Sequence, residues 1–161
     1  MDFQKKIIPG EQLAAWLAAM RAVGKKVVVT NGCFDILHLG HVTYLEAARK
    51  EGDALLVGLN SDASVADLKG PGRPVNSETD RAGVLAALES VDGVCIFTDK
   101  EAVRFLERAR PDIYVKGGDY TLETMNREER KVLEQAGARI AFIPFVKGKS
   151  TTLLLKKISS L

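Results

Sequence analysis

Two histidines, His38 and His41, lie three residues apart in the stretch NGCFDILHLGH, and the chain contains no others. The apolar run KVVVT precedes this stretch and the amphipathic run VTYLEAARKEG follows it, so the pair lies where a predicted strand leads into a helix. Residues three apart share one face of the first helical turn, where unpaired backbone N–H groups attract an anion. The pair therefore predicts a phosphate site, although two structural or capping histidines would explain it equally well.

Gly40 and a second helix start favour the phosphate interpretation. A residue without a side chain at Gly40 would let phosphate approach the backbone, as in other phosphate-binding loops. Near the end of the chain, GKSTTLLLKKI places Gly148, Ser150 and Thr151 at the start of the last predicted helix, where hydroxyl and N–H donors collect. Simple N-capping is the alternative, but the preceding strand should end at the same sheet edge as the histidines.

Lys116 ends the predicted strand DIYVK, and the glycines that follow it, Gly117 and Gly118, permit a tight turn. Because ligands bind at the carboxyl ends of parallel strands, its ammonium group is expected to project toward the phosphate site. A lysine side chain that simply extends into solvent is the alternative.

Composition and the absence of other motifs exclude several classes of protein. The 161 residues suffice for one domain, and 46% hydrophobic with 27% charged residues is typical of a soluble globular protein. A formal net charge of +2 argues against bulk nucleic-acid or membrane binding, and no apolar window approaches a membrane span, so we expect a cytoplasmic protein. Cys33 and Cys95 lack CxxC spacing, and HxxH supplies only two ligands, so a zinc site is not supported. No GxGxxG or GxxxxGKS/T is present, which argues against dinucleotide-binding and P-loop proteins, and no GxSxG is present either.

The rest of the sequence alternates strands with helices. A helix from about Gln12 to Ala22, ended by Gly24, precedes the first strand, so residues 1–24 are expected to form a helical appendage packed on a single domain of residues 1–161. The later strands are apolar throughout and are separated by helices. This pattern predicts an α/β fold, a Rossmann-like doubly wound parallel sheet with helices on both faces.

GCFDILHLGH resembles the GxFDxxHxGH signature of the cytidylyltransferase-like nucleotidyltransferase superfamily, and GKSTT resembles its second signature, RTxGISTT in many members. The blocks NSDAS, KGPGRPVN, LAALESVD, VKGGDY and STTLLLKKI resemble the heptose-phosphate adenylyltransferase branch, over about residues 26–159. The resemblance implies transfer of AMP from ATP to D-glycero-β-D-manno-heptose 1-phosphate, giving ADP-heptose and pyrophosphate for lipopolysaccharide core synthesis. Phe145 replaces the signature's arginine, which disfavours a standard cytidylyltransferase, and Lys147 and Lys149 are candidates to supply the missing charge.

The chemistry of the family assigns roles to the matching residues. Transfer requires in-line attack by an ionised phosphate oxygen on the α-phosphorus, so positioning and charge stabilisation suffice without a general base. The resemblance implies that His38, His41 and Lys116 are catalytic, with Mg²⁺ bridging phosphate oxygens rather than held by protein ligands. It assigns ATP binding to Asn31, Gly32, Cys33, Phe34, Gly40, Arg81, Gly148, Ser150 and Thr151, and acceptor binding to Asp35, Asp62, Lys69, Arg73, Gly118 and Asp119.

Several of these positions also have ordinary structural explanations. Asp35 is typical of a local cap in a strand-to-helix loop, and Arg81 is typical of a solvated helix face. The loop KGPGRPVN, with Lys69 and Arg73, is equally consistent with a mobile lid and with an exposed connector. Cys33 is either a reactive thiol or a position that requires a small residue.

Two further functions stay open. A glycerol-3-phosphate cytidylyltransferase shares the fold and both motifs and would prefer CTP over ATP, whereas a non-catalytic nucleotide-binding regulatory module would bind nucleotide without turnover. For the heptose-phosphate enzyme, the expected partners are a nucleotide and a small sugar phosphate rather than nucleic acid or a membrane, and the resemblance implies a homodimer. The stretch YTLETMNREER is placed on a loop and a helix without an assigned role.

Overall fold

The computed structural model describes residues 2–144 and 146–161, which leaves Met1 and Phe145, the departure from the family signature, outside the description. Within the described residues the chain forms five strands and seven α-helices. The strands are β1 (Val27–Gly32), β2 (Ala54–Asn60), β3 (Gly93–Phe97), β4 (Ile113–Gly117) and β5 (Arg139–Ile143). The helices are α1 (Leu13–Ala22), α2 (Leu39–Arg49), α3 (Asp62–Lys69), α4 (Glu78–Ala86), α5 (Val103–Ala109), α6 (Arg127–Gln135) and α7 (Thr151–Ser159).

All five strands are parallel, in the spatial order β3-β2-β1-β4-β5. The first strand therefore lies at the centre of the sheet. The next two strands follow outward to β3, and the chain then crosses back to β4 and β5, which confirms the predicted doubly wound, Rossmann-like fold. β1 pairs with β2 from Val27 to Gly32 but with β4 only as far as the Val29–Tyr114 pair. The carboxyl ends of β1 and β4 thus diverge where the winding direction reverses, which is where such sheets bind ligands.

Helices cover both faces of the sheet because its strands are apolar on both sides. Val27 and Val29 of β1 are fully buried in one core with α1, α5 and α6, whereas Val28 is buried in a second core with α2 and α4. Successive strand residues point to opposite faces, so a continuously apolar strand must be covered twice. The apolar residues of the strands are thus buried in these two cores. No helix in the described part of the chain has the length and apolar character needed to cross a bilayer.

The N-terminal segment contributes both to the sheet and to the first core. Ile7 forms a parallel bridge with Val94 at the outer side of β3, and Leu13 and Leu17 of α1 are buried among the core residues. The helix predicted for this segment is α1, and Gly24 after it has φ +76°, the left-handed conformation in which many helices end. The segment is therefore bonded and packed into the same unit as the strands.

Gly58 in β2 allows the close approach of α5 to the sheet. A Cβ atom at Gly58 would lie 2.4 Å from Cε1 of Phe105, whose side chain is buried in the first core. Because a buried aromatic ring has little free space to move into, we expect Gly58→Ala to lower the free energy of unfolding by about 1–3 kcal/mol. Urea denaturation followed by circular dichroism measures this change.

Gly83 in α4 provides the matched control for that substitution. A Cβ atom at Gly83 would meet only Cε2 of Phe3, at an ordinary contact distance of 3.5 Å. Alanine is preferred over glycine inside a helix by about 1 kcal/mol, so Gly83→Ala should leave the stability unchanged or raise it. An equal loss of stability in both variants would contradict the packing described for Gly58.

Candidate active site

His38 and His41 lie at the amino end of α2. His38 is the N-cap residue and His41 lies in the first turn, and their rings stack with centroids 3.8 Å apart at an interplanar angle of 21°. The ring of Phe34 packs edge-on against His41, with 5.2 Å between the ring centroids. In the described structure His38 makes no side-chain capping hydrogen bond to the helix, so the capping explanation for this histidine is not observed.

Burial and nearby positive charge favour the neutral form of both imidazoles in the free protein. Burial, and then the charge of His38 when it is protonated, lowers the pKa of His41 from 6.5 to about 4. Burial, and then the charge of Lys149, lowers the pKa of His38 below its ordinary value. Nδ1 of each ring is buried and has no hydrogen-bond partner among the described residues. Buried polar atoms are rarely left unpaired, so the pair has the character of a site that a ligand completes.

The start of α7 lies opposite His38 and forms a cleft with it. Ser150 is the N-cap of α7, and its Oγ accepts a hydrogen bond from the backbone N of Leu153 at 3.1 Å. Thr151 Oγ1 donates to the carbonyl oxygen of Ile36, in the loop before the histidine helix, at 3.4 Å. The two predicted phosphate-binding helix starts therefore face one cleft of about 210 Å³. Its lining residues are His38, Gly148, Lys149, Ser150, Leu153, Leu154 and Lys157.

Gly40 lets the two segments of the cleft approach each other. A Cβ atom at Gly40 would lie 3.0 Å from Nδ1 and Cε1 of His38 and 3.1 Å from Cβ of Lys149. The absence of a side chain therefore serves packing within the protein as well as any approach of phosphate. On the opposite segment, Gly148 has φ +73°, a conformation that glycine adopts without steric cost.

Lys116 projects from the carboxyl end of β4 and is already paired. Its Nζ donates to Oε2 of Glu129 at 2.8 Å and lies 5.0 Å from the centroid of the Tyr120 ring. Both members of the ion pair are mostly buried, with 18% of the Lys116 side chain and 7% of the Glu129 side chain exposed. The alternative of a lysine extending into solvent is therefore not observed.

The Asp35 carboxylate holds the loop KGPGRPVN against the loop that carries the histidines. Its Oδ2 accepts from Nε of Arg73 at 2.5 Å, and its Oδ1 accepts from the backbone N of Val75 at 2.7 Å and of Asn76 at 3.2 Å. Burial alone would raise the pKa of Asp35, but these hydrogen bonds hold it below its ordinary value. Asp35 is only 3% exposed, so in the free protein its carboxylate is occupied mainly by its contacts with this loop.

Arg81 is 2% exposed, so the alternative of a solvated helix face is not observed. Its Nη1 donates to the carbonyl oxygens of Cys33 at 2.6 Å and Asn60 at 2.8 Å, and its Nε donates to that of Asn76 at 3.1 Å. Its Nη2 donates to Oδ1 of Asp62 at 2.8 Å. The guanidinium group thus joins the segments that follow β1 and β2 to the start of α4, while a contact with ATP stays a prediction.

The last residues of β1 and the residues that follow it lead the chain toward the histidine helix. Asn31 Oδ1 accepts a hydrogen bond from the hydroxyl of Tyr114 at 2.6 Å. A Cβ atom at Gly32 would lie 3.0 Å from the ring of Phe34, so this glycine makes room for the ring. Burial raises the pKa of the half-buried Cys33 thiol, which argues against a reactive thiolate.

The positions predicted to bind the acceptor are less closely assembled. The N–H of Gly118 donates to the carbonyl oxygen of Ile143 at 2.9 Å, which ties the turn after β4 to the end of β5. Asp62 opens α3 with 44% of its side chain exposed. Lys69 at the end of α3 and Asp119 after β4 are both exposed. The structure brings His38 and the start of α7 together, whereas Lys69 and Asp119 are exposed and Gly118 is buried.

Tyr44 and Glu129 also belong to this edge, although the sequence patterns do not single them out. The Tyr44 hydroxyl lies 2.6 Å from Oγ1 of Thr30 and donates to the carbonyl oxygen of Val115 at 3.1 Å, which fastens α2 to both diverging strands. In sequence Tyr44 looks like an ordinary core residue of an amphipathic helix. Glu129 follows Asn126 by three residues, which indicates a helix cap rather than a partner for a lysine.

His41 makes the stability of the protein depend on pH in a defined direction. Its pKa is about 4 in the folded protein and about 6.5 in an unfolded chain. Between these values the unfolded state binds more protons, so stability is complete above the unfolded pKa and falls as the pH falls. We expect the urea midpoint to drop less in His41→Gln than in the unaltered protein between about pH 7 and about pH 4.5.

The double variant His38→Gln/His41→Gln removes all histidine titration, because the chain has only two histidines. It should show the smallest drop in the urea midpoint over the same pH range. The drop that is left should arise from carboxylates such as Asp35. Equal drops in the unaltered protein and both variants would mean that the imidazoles are not buried in their neutral form.

The cytidylyltransferase-like family matches residues 29–157, a range that includes both helix starts of the cleft. The bifunctional protein HldE of Trichlorobacter lovleyi is 49% identical over 157 residues, which cover 98% of this chain and 32% of that protein. HldE of Geotalea uraniireducens is 50% identical with the same coverage of both chains. The chain therefore spans about a third of the length of these curated relatives.

A solved structure shares the fold. The lipopolysaccharide core biosynthesis protein from Thermoplasma volcanium has a TM-score of 0.63 and 28% sequence identity, covering 78% of this chain and 100% of its own. The family match extends from β1 into α7, so it contains the central strands, the stacked histidines and the second helix start. On this match and this geometry, the chain belongs to the cytidylyltransferase-like family.

Proposed function

We propose that the protein is a nucleotidyltransferase that transfers AMP from ATP to D-glycero-β-D-manno-heptose 1-phosphate, forming ADP-heptose and pyrophosphate. The observation that carries the proposal is the stacked pair of His38 and His41, in which His38 lines one cleft together with the start of α7. A triphosphate is an anion that can bind to two helix N-termini, to the N–H donors of neutral imidazoles and to lysine ammonium groups. Similarity to a protein of lipopolysaccharide core biosynthesis, together with the sequence blocks of the heptose branch, supports the choice of acceptor.

The reaction needs positioning and charge stabilisation. A phosphate oxygen of the acceptor attacks the α-phosphorus of ATP in line, and the bond from that phosphorus to the oxygen bridging to the β-phosphate breaks, so pyrophosphate leaves with the bridging oxygen. The attacking phosphate is already ionised at neutral pH, so no general base is required. We assign to His38 and His41 hydrogen bonds to the triphosphate, which strengthen as negative charge develops at the α-phosphoryl group.

The other donors divide between the remaining phosphates. The start of α7, with Gly148, Ser150 and Thr151, would hold the β- and γ-phosphates, and Lys116 would neutralise charge while aligning the acceptor. No group of three or more His, Cys, Asp or Glu side chains in the described residues is placed to hold a metal ion. Mg²⁺ would therefore enter with ATP, where it offsets the charge of the phosphate oxygens.

The acceptor, in this proposal, lies beside the loop that Asp35 holds. Arg73 is paired with Asp35 in the free protein, and an acceptor phosphate can compete with that carboxylate for the guanidinium group. Lys69 adds positive charge at the rim. The exposed carboxylates of Asp62 and Asp119 are acceptors for hydrogen bonds from sugar hydroxyl groups.

We further propose that the enzyme is a cytoplasmic homodimer that binds neither nucleic acid nor membranes. None of the described side chains of α7 is fully buried, and Leu153 and Ile158 are exposed. Exposed apolar surface of this kind favours an interface. Size-exclusion chromatography with light scattering measures the mass, and the mass of a single chain would contradict the dimer.

Pyrophosphate release in the presence of Mg²⁺ tests the proposed reaction, with ATP or CTP crossed against heptose 1-β-phosphate or glycerol 3-phosphate. We expect turnover only with ATP and the heptose phosphate. His41→Ala should lower kcat by roughly 10²-fold or more, because it removes a donor to the developing charge. Thr43→Ala, at an exposed position of the same helix, is the matched control and should keep full activity.

Each other outcome of this assay has a distinct meaning. Turnover with CTP and glycerol phosphate would keep the mechanism and replace the substrates with those of a glycerol-3-phosphate cytidylyltransferase. Tight binding of ATP without turnover would indicate a regulatory module. Equal activity of His41→Ala and Thr43→Ala would remove the histidine from the mechanism.

A further inference from the structure

Glu129 is a buried carboxylate for which the proposed reaction has no direct use. It is 5% exposed as a residue, and its Oε2 accepts from Nζ of Lys116 at 2.8 Å. Lys116 lies near the carboxyl end of β4, two residues beyond the last pair between β1 and β4, so the ion pair lies at the ligand-binding edge of the sheet. The carboxylate therefore acts on a group that the reaction does use.

Capping of α6 does not account for Glu129. The N-cap residue Asn126 accepts hydrogen bonds at its Oδ1 from the backbone N of Glu128 at 2.9 Å and of Glu129 at 3.1 Å. In a capping box the glutamate side chain at the third helical position would return to the N–H of the N-cap residue. The side chain of Glu129 instead crosses to β4 and accepts from Lys116.

Stability is also a weak explanation for the pair. Removing two charges from water costs several kcal/mol per ion, and their attraction offsets this only when the geometry is good. Apolar side chains of similar size often stabilise a fold at least as well. A mostly buried ion pair beside the cleft is therefore better explained by the position that it gives to the ammonium group.

We propose that Glu129 is a positioning residue that holds the ammonium group of Lys116 at the edge of the crevice before nucleotide binds. The proposal rests on the nucleotidyl transfer described above, in which Lys116 contacts phosphate. A lysine side chain is long and flexible, so an anchored ammonium group loses less conformational freedom when phosphate arrives. Tyr120, in the loop after β4, and Glu129, at the start of α6, both contact Lys116. Both elements therefore help to fix the position of its ammonium group.

Glu129→Gln tests the proposal because it keeps an acceptor oxygen and the side-chain shape but removes the charge. The matched control is Glu128→Gln, at the adjacent exposed glutamate of the same helix. We expect kcat/KM to fall roughly tenfold or more in Glu129→Gln and to stay within about twofold in Glu128→Gln. Lys116→Met and the double variant complete a double-mutant cycle, in which Glu129→Gln should cause no further loss once Lys116 is replaced.

A purely structural Glu129 gives a different pattern. The activity loss would then follow the loss of thermal stability and would recur in the Lys116→Met background, and either result overturns the proposal. Equal activity of Glu129→Gln and Glu128→Gln overturns it as well. If Glu129→Gln does not fold, Glu129→Asp takes its place in the cycle, because it keeps the charge but shortens the reach to Lys116.

Calorimetric binding of the α,β-methylene analogue of ATP with Mg²⁺ separates this proposal from the proposed reaction. Absence of turnover in the unaltered protein would contradict nucleotidyl transfer, yet weaker analogue binding in Glu129→Gln than in Glu128→Gln would still support the positioning of Lys116. Without turnover, equal binding by these two variants would overturn both proposals. Normal turnover with equal activities would overturn only the role of Glu129.

Discussion

The ladder between β1 and β4 ends at the Val29–Tyr114 pair, and the opening beyond it is the constraint on which the candidate site depends. Backbone groups that lose their ladder partners there need side chains to satisfy them. Tyr44 supplies such a contact by bridging Oγ1 of Thr30 and the carbonyl oxygen of Val115. Burial raises the pKa of Tyr44 to about 12, so its hydroxyl keeps its proton at neutral pH. Helix α2, with the histidine pair, is therefore attached to both sides of the opening.

Three of the cations around the opening are held in ion pairs in the free protein. These pairs are Arg73 with Asp35, Lys116 with Glu129, and Arg81 with Asp62. An anionic ligand would meet cations whose side chains are already ordered, and ordering such side chains only on binding weakens affinity. The stacked histidines are different, because they are neutral and their Nδ1 atoms have no hydrogen-bond partner among the described residues. The edge thus combines fixed cations with neutral donors.

Local patterns predict the elements well, whereas contacts between distant segments are not visible in the sequence. The runs KVVVT and DIYVK, predicted as strands, coincide with β1 and β4 to within two residues at each end, because turn residues follow both runs. Arg81 lies in an amphipathic helix, yet only the folded chain brings carbonyl oxygens of three other segments to its guanidinium group. A glutamate at the third helical position can either cap its helix or pair with a lysine from another segment. The sequence alone does not distinguish these two roles for Glu129.

Ile7 and Ile8 occupy the outer side of β3 through their backbone contacts with Val94. Open strand edges are where chains add to one another during aggregation and strand exchange. With β3 covered, β5 is the edge of the described sheet at which a foreign strand can add. A chain docked there would pair with the strand that precedes α7 along the sequence. Loss of the first residues would open β3 as well and create a second route to aggregation, separated from the cleft by β2 and β1.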